Sequence, residues 1–312
     1  MKVFIVSEGD DVGGVAIAIQ RAFERYGADW EVRTMRGSNN YIDYPVDLSW
    51  DHARFCELWE WADVIHAMEK VHNLTPHFNP PGKPLVLHHH GSIYRDSHVA
   101  LDTVANADNL VQLCSTIDLT EFNPNVEWLP NPIDISWMEH IRAQYRPSPI
   151  EERGRVRYAH TPTQRWAKHT SDFIAAATRM GCELEIIEQE PWSQAIARKA
   201  TCDVLLDQLS YGYGLSGLEA MAMGMPVLGG ITVPGLEEKL RARVGYLPYY
   251  RATVDTLPMD LVPFNDPAVR AEVAERGRQY VNDFHSQQVI VARLKELWTE
   301  AVDRYEPEEA WP

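Results

Sequence analysis

Short apolar runs alternate with helical patterns along most of the chain. Val3 to Val6 is a continuous apolar run of strand length, and apolar positions at helical spacing follow from about Val15 to Tyr26. The pattern predicts a strand around Trp30 to Thr34 and a helix from Asp51 to Trp61. Strands are then predicted at Val64 to Ala67, Pro84 to His88, Leu110 to Ser115 and Val126 to Pro130. This is the rhythm of a parallel sheet with crossover helices.

Pro130, Pro132, Pro147 and Pro149 flank a helical stretch of about Ile135 to Gln144, and the charged segment Glu151 to Arg155 follows. A domain boundary is expected there, with 135–155 as a linker. A second series then begins. VRYAH reads as a strand, Ser171 to Met180 as a helix ended by Gly181, LEIIE as a strand and Trp192 to Lys199 as a helix. VLLDQL is the next strand, Ser216 to Met223 a helix capped by Gly224, and Pro226 to Gly230 a strand. Roughly Asp266 to Tyr305 is helical with few breakers. The expected class is α/β, with two Rossmann-like, doubly wound parallel-sheet domains at 1–134 and 156–283. A C-terminal helix, 284–312, returns to the first domain. Strand ends of two such domains facing across a cleft are where ligands sit.

The chain of 312 residues, 45% of them hydrophobic, suffices for two medium cores. A net charge of -16 and a pI near 5.2 argue against nucleic-acid binding as a general mode, which needs a basic surface. Cys56, Cys114, Cys182 and Cys202 show no C-x-x-C spacing and fall in or beside apolar segments, as reduced buried thiols do. The first apolar run is too short for a signal sequence and no window is long enough to span a membrane, so a cytoplasmic protein is expected.

The most informative segment is DQLSYGYGLSGLEAMAMGMPVL, Asp207 to Leu228. A buried strand leads into a loop with Gly212 and Gly214, then into a helix through Ser216. Free amides at such a helix N-terminus, together with the helix dipole, favour an anion, and a pyrophosphate suits the place. Ser216-x-x-Glu219 also fits a capping box, in which Glu219 folds back on the Ser216 amide.

GYGLSGLEAMAMGMPV, Gly212 to Val227, resembles the signature E-P-F-G-L-x-x-L-E-A-M-A-x-G-x-P-V of glycosyltransferase family 4, retaining enzymes of the GT-B fold. The resemblance implies that Glu219 binds the ribose hydroxyls of a nucleotide. It places Tyr211, Tyr213, Gly214, Leu215 and Ser216 along the donor. The family's first glutamate, eight positions before the second and normally bonded to the transferred sugar, is replaced by Tyr211. Asp207 and Gln208 are candidate substitutes for it, or residues of a strand-terminal turn.

RYAHTPTQRWAKHTSDFIAAA, Arg157 to Ala177, is similar to the start of that family's C-terminal domain, in the variant H-x-P-T-x-R-x-x-K-x-T. The likeness implies that Arg165 and Lys168 contact the two phosphates. His169 stands where the family usually has glycine. VEWLPNPID, Val126 to Asp134, resembles the segment x-x-V-I-P-N-G-I-D that closes the first domain, with Asn131 and Asp134 as turn and cap residues. EGDDVGG resembles the family's first loop, in which Gly13 and Gly14 allow close approach of sugar or phosphate. HHHG, His88 to Gly91, ends a strand where the family often has a histidine near the reacting sugar. Alternation puts His88 and His90 on one face and His89 on the other, and His90, directly before Gly91, is the candidate. A strand cannot aim three successive histidines at one ion, so no metal site is expected.

The resemblance implies transfer of a sugar from a nucleotide-diphosphate sugar, UDP- or GDP-linked, with retention and without a metal or other cofactor. His90, Arg165 and Lys168 are the catalytic candidates. The acceptor is open among glycan, protein, lipid carrier, small molecule and modified nucleic acid, and the chain is expected to be a monomer or weak dimer. Two alternatives stay open: a GT-B sugar-nucleotide epimerase, and a silent nucleotide-sugar binder suggested by Tyr211. A nicotinamide dehydrogenase is disfavoured, because EGDDVGG does not supply G-x-G-x-x-G after the first strand.

Overall fold

The computed structural model describes residues 1–7, 12–37, 51–68, 82–91, 93–98 and 110–305. They form two compact units. One holds the described residues up to Pro132 together with those from Gln287 onward, and the other is Ile133–Ser286.

In the first unit, β1 (Lys2–Ser7), β2 (Glu31–Arg36), β3 (Val64–Met68), β4 (Leu85–His89), β5 (Val111–Cys114) and β6 (Val126–Trp128) form one sheet in the order β2-β1-β3-β4-β5-β6. Every pairing is parallel; Val3, for instance, lies opposite Val32 on one side and Val64 on the other. Strands buried on both faces read as continuous apolar runs rather than alternations, which is why Val3–Val6 was legible as a strand. Helix α1 (Val15–Tyr26) covers one face, where Val15, Ile19 and Phe23 pack with Val3 and Ile5. Helix α2 (His52–Trp61) covers the other through Phe55, Leu58 and Trp59. Asp51 caps α2, its carboxylate accepting from the Arg54 amide at 2.7 Å.

In the second unit, α3 (Ile135–Gln144) and α4 (Ile150–Arg153) precede β7 (Arg157–His160), α5 (Thr170–Met180), β8 (Glu183–Ile186), α6 (Trp192–Lys199) and β9 (Val204–Leu206). There follow α7 (Leu215–Ala222), β10 (Val227–Gly229), α8 (Leu236–Val244), β11 (Tyr250–Arg251), α9 (Leu257–Asp260) and α10 (Pro267–Tyr280). The sheet is parallel, in the order β11-β10-β9-β7-β8. The segment expected as a linker, 135–155, thus carries α3 and α4 and belongs to this unit.

The long helical segment expected from Asp266 to Tyr305 is divided. After α10 a single wide turn, Val281–His285, leads to extended Ser286, and α11 (Gln287–Arg304) begins. The division follows from backbone pairing, since the Ile133 amide donates to the His285 carbonyl at 2.7 Å. Buried Ile290, Val291, Leu294, Leu297, Trp298 and Ala301 make a helical stripe on α11 that joins the core of the first unit. Trp298 sits against Phe23 with ring centroids 4.7 Å apart. Among the described residues no helix is long and apolar enough to cross a membrane.

Candidate functional site

Three segments of the second unit converge at the start of α7. Strand β9 ends at Leu206 and delivers Asp207, whose side chain is 1% exposed. The Lys168 Nζ, from the loop after β7, donates to Asp207 Oδ1 at 2.8 Å, and the amide of Gly214, the cap residue of α7, donates to Oδ2 at 2.5 Å. Burial alone would raise the Asp207 pKa, but the Lys168 ammonium and the Gly214 amide outweigh it and hold the carboxyl below its ordinary value. Glycines leave room on both sides of this contact. A Cβ on Gly214 would stand 2.8 Å from Lys168 Nζ, and one on Gly217 would stand 2.5 Å from Asp207 Oδ2. A cation and a helix N-terminus therefore meet at one point, and a carboxylate occupies it.

One turn further along α7 lies a second buried pair. Lys199 Nζ donates to Glu219 Oε2 at 2.5 Å and to the Ser216 carbonyl at 3.3 Å, while Trp192 Nε1 donates to Glu219 Oε1 at 2.8 Å. Trp192 and Lys199 are seven residues apart, two turns on one face of α6, so both reach the same carboxylate. The Trp192 ring stacks on Trp137 with centroids 5.0 Å apart and planes at 13°. The capping box allowed by Ser216-x-x-Glu219 is not formed: the cap position belongs to Gly214, and Glu219 turns to Lys199 and Trp192. Ser216 instead shares a short hydrogen bond with Thr161 at the end of β7. His160, just before it, donates from Nδ1 to the Leu206 carbonyl at 2.7 Å and accepts at Nε2 from Thr170 Oγ1 at 2.9 Å.

Arg165 is not brought into this cluster. Its side chain is 59% exposed and its guanidinium is held by Glu188, which raises the Arg165 pKa and lowers that of Glu188. The basic pair read from the sequence is therefore split. Lys168 faces the start of α7, and Arg165 faces the loop after β8. His169, where the family resemblance expected glycine, adopts the left-handed conformation that glycine takes without penalty, at φ 54°. Its ring is tied to Asp172 at 3.1 Å and Ser210 at 3.0 Å. Tyr211 is 37% exposed and bridges Ile231 through the backbone. The Tyr213 hydroxyl meets that of Tyr280. Leu215 opens α7.

In the first unit, Gly13 and Gly14 precede α1 with φ of 64° and 70°. The alternation read for the histidine run holds. His88 and His90 stack with ring centroids 4.4 Å apart, and His89 lies opposite, bonded to Gln112 at 3.1 Å and stacked on Tyr94. His90 is buried, and burial, with a smaller contribution from His89, pushes its pKa down to about 3. His88 Nδ1 lies 3.2 Å from Nε2 of His66 on β3. Among the described residues no group of three or more His, Cys, Asp or Glu side chains is placed to hold a metal ion.

Several of these residues were not singled out from sequence. Lys199 and Trp192 carried a signal only in hindsight, their seven-residue spacing on an amphipathic helix. Thr161 lay inside a quoted motif without a role. Asp207 was noted only as a substitute for the missing glutamate, not as the partner of Lys168.

No protein-family model and no curated protein matches the chain in sequence. Solved structures do match its fold. HepE from Anabaena, in complex with UDP, aligns over 96% of this chain and 100% of its own with a TM-score of 0.67 and 14% identity. Sucrose-phosphate synthase from Thermosynechococcus elongatus aligns over 98% and 100% at 0.66 and 11%. The catalytic domain of starch synthase IV from Arabidopsis thaliana, bound to ADP and acarbose, aligns over 97% and 99% at 0.60 and 12%. The two parallel α/β units with a C-terminal helix returning to the first are thus the GT-B fold.

Proposed function

We propose that this protein is a glycosyltransferase that moves a sugar from a nucleotide-diphosphate sugar to an acceptor, with retention of configuration and without a metal ion. The observation that carries the reading is the meeting of Lys168 with the amide end of α7 at Asp207. The fold is one found in structures that hold UDP or ADP. A diphosphate arriving there takes the Lys168 ammonium and the first amides of α7 as partners. Its charge is greatest as the sugar departs, so these groups act most strongly in the transition state. Glu219, already anchored by Lys199 and Trp192, has lone pairs left for the ribose hydroxyls. Arg165 reaches a phosphate only by releasing Glu188. The departing phosphate oxygen accepts the proton of the attacking hydroxyl, so no side-chain nucleophile is needed. UDP or GDP is the proposed nucleotide, and a monomer or weak dimer in the cytoplasm the proposed state.

The test is a panel of UDP-, GDP-, dTDP- and ADP-sugars. One of them should raise the melting temperature, because a ligand of the native state stabilises it. Slow release of free nucleoside diphosphate should accompany it, which a silent binder does not give, whereas an epimerase would convert the donor to its epimer with no acceptor present. Lys168→Ala should lower turnover at saturating donor by roughly 10²-fold or more, the scale of losing one oxyanion donor. A folded Lys168→Ala protein with near-normal turnover would overturn the assignment.

A further inference from the structure

A hydrogen-bond chain with a fixed direction runs through the core of the first unit. It starts at Trp298 on α11, whose indole N–H donates and has no capacity to accept. Its Nε1 lies 3.0 Å from His66 Nδ1, so His66 accepts there. His66 is fully buried, and burial, aided by the neighbouring His90, pushes its pKa down to about 3. At neutral pH the ring therefore holds a single proton, and that proton sits on Nε2. Nε2 is the atom 3.2 Å from His88 Nδ1, so His88 accepts in turn. Burial first, and the adjacent histidines second, keep His88 neutral as well, which leaves its own proton on Nε2.

The chain ends on a donor without an acceptor. His88 is 1% exposed, and its Nε2 has no hydrogen-bond partner among the described residues. A buried N–H left unsatisfied has lost its water without a replacement, so such an atom in a native structure calls for an occupant. His88 lies near the C-terminal end of β4, the edge at which open parallel sheets receive ligands. The donor carries no charge and its tautomer is preset. That suits the lone pair of a hydroxyl oxygen, whose own proton is free to turn elsewhere.

We infer that Trp298 is a positioning residue. It fixes the tautomers of His66 and His88 so that His88 presents Nε2–H to a hydroxyl oxygen of a ligand bound at this edge of the sheet. The identity of that ligand, a sugar or a hydroxylic acceptor, rests on the proposed transferase reading; the tautomers do not.

The experiment is a long-range proton–nitrogen correlation spectrum of protein carrying ¹⁵N-histidine at pH 7.5, joined to nucleoside diphosphate release from the four classes of sugar nucleotide. His66 and His88 should both carry the proton on Nε2. Trp298→Phe keeps an aromatic ring beside Phe23 and Trp30 but removes the N–H, and should let His66 populate the Nδ1–H form. A proton on Nδ1 of either histidine in the parent protein, or unchanged tautomers in the variant, overturns the inference whatever the activity. Turnover should fall at least tenfold in Trp298→Phe and in His88→Phe. His88→Gln, which restores an N–H near the position of Nε2, should recover most of the loss. Full turnover in His88→Phe overturns the ligand role of the donor. A parent that releases nothing from any of the four classes sinks the transferase reading instead, and the spectra alone then decide the tautomer chain.

Discussion

The two units bury polar groups in opposite ways. The first hides His66, His88 and His90 without charge, His66 hydrogen-bonded to His88 and His90 stacked on His88, with Nε2 of His88 and of His90 unpartnered among the described residues. The second hides full charges, Lys168 with Asp207 and Lys199 with Glu219, each closed by an opposite charge and by a helix amide or an indole N–H. Avoiding charge is cheaper in desolvation but makes the site sensitive to protons. Pairing charges withstands neutral and mildly acidic pH, yet neither partner tolerates loss of the other. The contrast also separates ligand classes, because paired cations can be re-partnered by an anion, whereas neutral imidazoles address uncharged oxygens.

The largest effect should come from breaking the pair on α7. Glu219→Leu strands the Lys199 ammonium, which is 2% exposed, and should cost roughly 3–5 kcal/mol in urea unfolding. Lys199→Met combined with Glu219→Leu should restore most of that, since an apolar pair of similar volume needs no counter-charge. If the single substitution costs less than about 1 kcal/mol, the pair is not dry and the comparison fails at its firmest point.

Acid should strike the first unit next. His66 has a folded pKa near 3 against 6.5 unfolded, so between those values the unfolded chain binds more protons and stability falls as pH falls. At pH 5 the loss is on the order of 2 kcal/mol for one such histidine, and at pH 8 it is absent. His160 in the second unit is shifted the same way, down to about 4 by burial, and adds to the slope. Asp207, held low by Lys168, adds nothing until the carboxylate range is reached. Urea midpoints from pH 8 to pH 5 should therefore fall steeply in the parent and less in His66→Phe. An equal slope in the two proteins would remove His66 from the account.

Much of this architecture was legible because buried parallel strands are apolar on both faces. Val3–Val6, Val64–Ala67 and Pro84–His88 announce themselves in the sequence, each within a residue of the strand that forms, and Gly181 and Gly224 mark helix ends. The stretch 231–265 was silent, because β11 has two residues and α9 four, too few for any period to show, and the nine residues of α8 bury only Leu236 and Leu240. The start of α7 could be read because a strand, glycines and a helix follow one another locally. The partners of Glu219 could not, since Trp192 and Lys199 arrive from α6 by tertiary packing alone. Arg165 was placed with Lys168 on the family resemblance, but Glu188 takes its guanidinium while Lys168 bonds Asp207. The histidine run gave its alternation, while the link to Trp298, 232 residues from His66, was beyond any local pattern.

The smallest effect concerns His169, the one histidine of these two clusters held by backbone conformation rather than burial. At φ 54° a side chain costs roughly 1–2 kcal/mol that glycine does not incur. The ring recovers part of this through its bonds to Ser210 and Asp172, together worth about 1 kcal/mol at a partly exposed position. His169→Ala keeps the strained backbone and loses both bonds, whereas His169→Gly loses the bonds and the strain together, with a glycine entropy cost of about 0.5–1 kcal/mol against it. The position also caps α5, where glycine is better tolerated than alanine. His169→Gly should therefore lie within about 1 kcal/mol of the parent, and His169→Ala should be the less stable of the two by a few tenths to 1 kcal/mol, the reverse of the order inside a helix. Paired urea curves decide it: an alanine variant as stable as the glycine variant would show that the left-handed backbone at this turn costs a side chain nothing measurable.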